Sequence, residues 1–120
     1  MKTILHVDDN EEIRLLLEAI IKRHGYTYIG MSRAEEALEV LKKDSVDLVL
    51  LDLHLAGKMQ GVDLINNLEK LKIRKKIIPL TASPTLIKRL KKEHPELVVE
   101  CILKPFEPEK LLIQIKKAIG

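Results

Sequence analysis

The chain has 120 residues, of which 46% are hydrophobic, a formal net charge of +3 and one cysteine. This length fits one domain over residues 1–120, and the hydrophobic content excludes an intrinsically disordered chain. One cysteine excludes an internal disulfide and fits a reducing compartment. No apolar run approaches the ~20 residues that a membrane-spanning helix needs. We therefore expect a cytoplasmic domain that is not attached to a membrane.

The basic residues fall in two groups, which either form solvated surfaces or bind an acidic protein partner. The groups are Lys72, Arg74, Lys75 and Lys76, and Lys88, Arg89, Lys91 and Lys92. Aromatic residues make up only 2% of the chain. Because no helix-turn-helix, RNA-recognition or zinc signature is present either, direct binding of nucleic acid is not expected.

Strand and helix patterns alternate along the chain with short connections between them. Apolar runs predict strands over residues 2–7, 26–30, 46–51, 76–80 and 97–103. Apolar residues at helical spacing predict helices over about 11–24, around 34–41, around 64–71, over about 84–94 and from about 107 to 119. Such β–α units with right-handed crossovers predict an α/β fold with a doubly wound, five-stranded parallel sheet.

Two of these strands have distinctive sequences. Val46–Leu51 is almost continuously apolar, which predicts a central strand buried on both faces. Pro79 lies inside the fourth strand, where a proline cannot donate a hydrogen bond to a neighbouring strand. His6 in the first strand is interpreted as a core or strand-face histidine with a satisfied ring.

Charged and polar residues follow four of the predicted strands. They are Asp8 and Asp9 after the first, Asp52 after the third, Thr81 after the fourth and Lys104 after the fifth. Because the carboxyl ends of parallel strands share one edge, these residues are expected to converge. Three carboxylates repel one another unless a cation lies among them, and Mg²⁺ is the cation best suited to oxygen ligands beside a phosphate. The pattern therefore predicts a site that handles phosphoryl groups.

Each of these residues also has a simpler structural interpretation. Asp8 or Asp9 could cap the following helix, and Asp52 could be an ordinary loop acid. Threonine is common at strand ends, and Lys104 before Pro105 could form a turn. A second acid directly after a strand is more than a helix cap needs, which favours the metal site.

The order of these motifs resembles the receiver domain of bacterial response regulators, which accepts phosphate in two-component signalling. The resemblance covers essentially the whole chain, through Asp8–Asp9, Asp52, Thr81–Ala82 and Lys104–Phe106. It implies a flavodoxin-like three-layer sandwich with strand order 2-1-3-4-5 and a cis peptide bond before Pro105. It also implies a phosphorylation-activated switch that catalyses only its own phosphotransfer and autodephosphorylation, rather than an ordinary enzyme.

The resemblance implies a role for each matched residue. Asp52 is the phosphoacceptor, Thr81 hydrogen-bonds the phosphoryl group and Lys104 forms an ion pair with it. The implied ligands of Mg²⁺ are Asp8, Asp9, Asp52 and the main-chain carbonyl of His54. The implied partners are a histidine kinase or phosphotransfer protein as donor, and a downstream protein on the face of the fourth helix, fifth strand and fifth helix.

Two positions depart from the family pattern. Ala56 replaces the usual proline in a loop to Gly61 that is one residue longer than usual. Cys101 stands where the family often has tyrosine or phenylalanine. In the usual switch this aromatic ring fills the space that Thr81 leaves when it moves, and a cysteine cannot do so. We therefore expect phosphorylation to change the fourth helix and its preceding loop more than the fifth strand.

Three other functions are compatible with parts of the pattern. A haloacid-dehalogenase-like aspartyl phosphatase would need a second acid two residues after Asp52, where this chain has His54. A flavin- or nucleotide-binding module would need a phosphate-binding loop where Asp8–Asp9 would repel phosphate. A receiver fold that binds partners without phosphorylation remains open from the sequence alone.

Overall fold

The computed structural model describes residues 1–43 and 45–120. The strands are β1 (Thr3–Val7), β2 (Thr27–Met31), β3 (Leu48–Asp52), β4 (Lys76–Thr81) and β5 (Ile102–Leu103). The helices are α1 (Glu11–Arg23), α2 (Ala34–Lys43), α3 (Gly61–Lys70), α4 (Pro84–Glu93) and α5 (Pro108–Ile119). The strands pair in parallel in the order β2-β1-β3-β4-β5, which confirms the predicted doubly wound fold. Within the described ranges, no helix combines the length and apolar character needed to cross a bilayer.

The helices cover both faces of the sheet and create two apolar layers. On one face, Leu64 of α3 and Leu90 of α4 belong to the same buried cluster as Val49. On the other face, Leu17 of α1 and Leu111 of α5 pack in a cluster with Leu50. Neighbouring residues of β3 thus enter opposite layers, and all five residues of this strand are buried. Burial of one such leucine contributes about 1.5–3 kcal/mol, and packing from both layers fixes the position of β3, which ends at Asp52.

The fifth strand is much shorter than predicted, because Pro79 interrupts the pairing of β4 with it. Ile77 exchanges hydrogen bonds with Leu97 and Val99, and the Lys104 amide donates to the Thr81 carbonyl at 2.8 Å. Between these two points Pro79 offers no N–H. The amide of Cys101 donates to the Glu100 carboxylate at 2.9 Å rather than to the Pro79 carbonyl. Regular pairing therefore resumes only at Ile102–Leu103.

Candidate functional site

The structure brings the strand-end residues together at the carboxyl edge of the sheet. Ligand oxygens of Asp8, Asp9 and Asp52 all lie within 4.8 Å of one another. The Lys104 Nζ lies 3.3 Å from Asp52 Oδ1 and 4.0 Å from Asp8 Oδ2. Thr81 ends β4, the neighbour of β3 in the sheet. One ammonium group thus faces a group of carboxylates at a single edge.

Lys104 is anchored at this edge through its main chain. Its amide donates to the Thr81 carbonyl, which fixes the start of the β5–α5 loop against the end of β4. The following Lys104–Pro105 peptide bond is cis, as the resemblance implies. The side chain is one-quarter exposed, so its ammonium reaches Asp52 while remaining accessible to an incoming group.

The carboxylate of Asp8 is buried and incompletely paired. Its Oδ1 accepts the Asn10 N–H at 2.9 Å, and the residue is 0% exposed. Burial raises the pKa of Asp8, but the adjacent His6, the Asn10 N–H and Lys104 together hold that pKa below its ordinary value. Oδ2 has no hydrogen-bond partner among the described residues. An ionised, buried oxygen without a partner is a suitable ligand position for a cation.

The carboxylate of Asp52 has the opposite shift. Burial raises the pKa of Asp52, and the negative charge of Asp8 raises it further. The His54 N–H, 3.1 Å from Oδ1, and the Lys104 ammonium lower it, but only in part. The ionised form of Asp52 is therefore held in an unfavourable environment, which a cation bound between these carboxylates would relieve.

The other predicted site residues occupy different depths. Asp9 is exposed at the rim, whereas Thr81 is fully buried. The Thr81 Oγ1 accepts the Ser83 N–H at 3.2 Å, and the Ser83 side chain caps α4 by accepting the Leu86 N–H at 3.1 Å. His54 is exposed, and its amide rather than its ring contacts the site. Its carbonyl as a metal ligand stays a prediction.

The loop between β3 and α3 is closed by Gln60, whose part was missed in the sequence. Its Oε1 accepts the Leu55 N–H at 2.9 Å, and its Nε2 donates to the Leu55 carbonyl at 2.8 Å and the Gly57 carbonyl at 3.2 Å. Gly61 follows, and its amide donates to the Leu53 carbonyl. The three hydrogen bonds of the Gln60 side chain order the loop that follows Asp52, in which Ala56 replaces the usual proline.

The donor set fits a hard divalent cation. Its members are carboxylate oxygens at one edge, one of them buried without a partner, and no sulfur or imidazole joins the cluster within the described part of the chain. Oxygen-only sets of this kind suit Mg²⁺ and Ca²⁺ rather than softer metals.

Comparison with known proteins identifies the class. The family described as "Response regulator receiver domain" matches residues 4–116. A putative transcriptional regulator of Pseudomonas aeruginosa is 38% identical over 82 residues, which cover 68% of this chain and 39% of that protein. Sporulation initiation phosphotransferase F of Bacillus subtilis is 30% identical over 115 residues, which cover 95% of this chain and 90% of that protein. The crystal structure of response regulator TrrA from Thermotoga maritima, in complex with Mg²⁺-BeF, has a TM-score of 0.85 at 33% identity and covers 99% of this chain and 100% of that one.

The doubly wound sheet, the carboxylate cluster at the C-terminal edge of its strands and these relatives together define a class of signalling protein that handles phosphoryl groups. The chain belongs to the response regulator receiver family. Receiver domains are signalling switches rather than ordinary enzymes; they bind Mg²⁺ at an acidic cluster and interact with histidine kinases and downstream targets. This chain spans 39% of the length of the Pseudomonas relative, so the activity of that longer protein does not transfer to it.

Proposed function

We propose that residues 1–120 act as one receiver domain that accepts a phosphoryl group on Asp52 from a histidine kinase or phosphotransfer protein. The observation that best supports this proposal is the position of the Lys104 ammonium, 3.3 Å from Asp52 Oδ1. It lies at the edge of the sheet where carboxylate oxygens of Asp8, Asp9 and Asp52 are within 4.8 Å of one another. Asp8, Asp9, Asp52 and the His54 carbonyl would hold Mg²⁺. When bound, the ion would supply positive charge that reduces the repulsion between the Asp52 carboxylate and the incoming phosphoryl oxygens.

The proposed transfer needs positioning and charge neutralisation more than covalent assistance. An Asp52 oxygen attacks phosphorus and forms an O–P bond. The P–N bond of a phosphohistidine, or the P–O bond of a small acyl phosphate, breaks and its electron pair leaves with the donor. Lys104 pairs with the phosphoryl oxygens, and the Thr81 hydroxyl donates a hydrogen bond to them. The product is an acyl phosphate, whose hydrolysis resets the switch.

Intact-mass spectrometry after incubation with acetyl phosphate tests this proposal. We expect the wild type to gain the mass of one phosphoryl group in Mg²⁺ and to lose it with time. The Asp52→Asn variant, and the wild type with excess EDTA, are expected to show no adduct. Glu36→Gln is the control, because Glu36 is an exposed acid of α2 outside the cluster and its loss should leave the adduct intact.

Other outcomes would point to the alternatives. An adduct that persists in Asp52→Asn would place the acceptor elsewhere. No adduct and no binding of Mg²⁺ would indicate a binding module that works without phosphorylation. Release of phosphate from acetyl phosphate by many turnovers, without an adduct, would indicate a phosphatase. The cytoplasmic location remains a prediction.

We also propose that the face formed by α4, β5 and α5 binds the downstream protein. Leu103 of β5 and Ile113 of α5 are each about half exposed there, at 47% and 51%. Lys91 of α4 forms an ion pair at 3.1 Å with Glu100, in the segment that leads into β5. A face that combines exposed apolar residues with the basic helix α4 suits a partner surface that is apolar and acidic.

We expect phosphorylation to act on this face mainly through α4. Thr81 is tied by Ser83 to the cap of α4, because its Oγ1 accepts the Ser83 N–H. A phosphoryl group that draws the Thr81 hydroxyl toward itself would move this acceptor and so disturb the cap of α4. Cys101 is half-buried, and burial raises its pKa to about 11, so it stays a small neutral thiol. Hydrogen exchange with and without Mg²⁺-BeF should therefore show faster exchange in the first turn of α4. A silent α4 beside a changed β5 would contradict this expectation.

A further inference from the structure

A buried histidine lies directly behind the acidic cluster. His6 is on β1, two residues before Asp8, and is 0% exposed. Its Nε2 faces Asp8 Oδ2 at 3.6 Å, and neither atom has a hydrogen-bond partner among the described residues. His6 is not a member of the carboxylate group that could hold an ion, and it contacts that group through Asp8. A buried imidazole is costly unless its ring nitrogens are satisfied, and simple packing would favour an apolar side chain here.

Tyr28 on β2 contacts the other side of this imidazole. Its hydroxyl lies 2.7 Å from His6 Nδ1, and the two ring centroids are 5.8 Å apart. The ring reaches His6 across Gly30, which is the residue paired with His6 in the register of β1 and β2. A Cβ at Gly30 would lie 2.8 Å from the Tyr28 ring and 2.9 Å from its hydroxyl. The absence of a side chain at Gly30 is therefore what lets Tyr28 meet His6.

The hydrogen bonds of this group favour one arrangement of protons. A neutral imidazole carries one N–H, and the Asp8 carboxylate only accepts, so Asp8 favours the hydrogen on Nε2. Nδ1 is then an acceptor, for which Tyr28 is the donor. Burial, and then the charge of Glu18, raise the pKa of Tyr28 well above its ordinary value, so the hydroxyl keeps its hydrogen. This hydrogen also has the Arg14 carbonyl within reach, but at the longer distance of 3.1 Å.

Arg14 joins the same group to the main chain of the site. Its Nη1 donates to the Asp8 carbonyl at 2.6 Å, while its own carbonyl contacts Tyr28. Asp8 is thus contacted through its main chain by α1 and through its carboxylate by β1. Residues behind a metal-binding carboxylate orient it and tune its affinity for the ion.

We propose that His6 is a positioning residue for Mg²⁺ binding, held by Tyr28 over Gly30 so that its Nε2–H orients the Asp8 carboxylate. This inference rests on the proposed function, since it concerns the same cation site. Under this proposal His6, Tyr28 and Gly30 together position the Asp8 carboxylate, although they take no part in the phosphoryl transfer itself. No proton leaves His6 in this role.

The Mg²⁺ dissociation constant of His6 variants tests the proposal, followed by NMR through the Asn10 amide. The side-chain nitrogen of glutamine can take the place of Nε2, and that of asparagine the place of Nδ1. We expect His6→Leu and His6→Asn to bind Mg²⁺ about tenfold more weakly than the wild type. His6→Gln should restore binding to within about twofold. The free energy of unfolding without Mg²⁺, measured for each variant, separates this effect from a general loss of stability.

Two milder variants keep the test decisive if His6→Leu does not fold. Tyr28→Phe removes the donor to Nδ1, and Gly30→Ala displaces the Tyr28 ring, while both keep His6. Each should weaken Mg²⁺ binding severalfold. The proposal would be overturned if His6→Leu bound Mg²⁺ as tightly as the wild type, or if His6→Gln bound it no more tightly than His6→Leu. Unchanged affinity in both Tyr28→Phe and Gly30→Ala would also overturn it. If the wild type itself bound no Mg²⁺, the proposed function would fail together with it.

Discussion

The Gly61→Ala variant is expected to lose about 2 kcal/mol of stability and to bind Mg²⁺ more weakly than the wild type. A Cβ at Gly61 would lie 2.7 Å from the Leu53 Cα and 2.8 Å from the Asp52 carbonyl oxygen. Both contacts are with the main chain at the end of β3, which cannot rotate away as a side chain can. Alanine favours a helix over glycine by roughly 0.5–1 kcal/mol, and this gain offsets only part of the clash. Thermal unfolding should show a midpoint about 8 °C lower.

The second effect of Gly61→Ala follows from the position of the clash. The atoms that must move belong to Asp52 and to the residue after it, so the carboxylate shifts relative to Asp8. Gly25→Ala is the matched control: Gly25 has a φ of +86° with no atom near its missing Cβ. This variant should lose stability through backbone strain, but its Mg²⁺ affinity should be unchanged. If Gly61→Ala bound Mg²⁺ as tightly as the wild type, the close packing of α3 against the end of β3 would not be what positions Asp52.

The parts of the structure that follow from local pattern could be predicted from the sequence. The apolar run of β3 identified a central strand, and the parallel topology then brought Asp8, Asp52 and Lys104 to one edge. Both steps need only short periodic patterns and the rule that parallel strands end on the same side. The sheet order came from the family resemblance, because no local feature of the chain determines it.

The missed features depend on partners that are distant in sequence. The length of β5 depended on the missing N–H of Pro79, which mattered only once β4 and β5 were neighbours. The hydrogen bonds of the Gln60 side chain depend on the path of the loop between β3 and α3, and no periodic pattern in the sequence predicts that path. The contact of His6 with Tyr28 requires the register that places His6 opposite Gly30. A histidine two residues before an acid, on the same side of a strand, was the available signal for it.

The Asp52→Asn variant is expected to be more stable than the wild type at pH 7 without Mg²⁺. The folded protein holds ionised Asp52 at a cost, because burial and then the charge of Asp8 raise its pKa. Asparagine keeps the shape of the side chain and removes the charge. The loss of the Lys104 ion pair opposes this gain, but Lys104 retains Asp8 at 4.0 Å. Denaturant unfolding in EDTA measures the difference.

The pH dependence of the free energy of unfolding gives an independent check that ionised Asp52 destabilises the folded protein. Because the folded-state pKa of Asp52 exceeds its unfolded value, the folded state retains this proton to higher pH than the unfolded state does. The free energy of unfolding therefore falls as pH rises from the ordinary aspartate pKa of 3.8 through the raised value. The lowered pKa of Asp8 has the opposite effect, a stabilisation above its ordinary pKa that is lost as pH falls. Asp52→Asn should remove only the first of these contributions.

Addition of Mg²⁺ should reverse the order of stability. A ligand at 100 times its dissociation constant stabilises the folded state by about 2.7 kcal/mol, and Asp52→Asn should lose most of this gain. Asp9→Asn is the informative control, because Asp9 is exposed and its charge is solvated. It should lose the Mg²⁺ effect without any gain in EDTA. If Asp52→Asn were instead less stable than the wild type in EDTA, the ion pair with Lys104 would outweigh burial, and the apo site would not be poised for a cation.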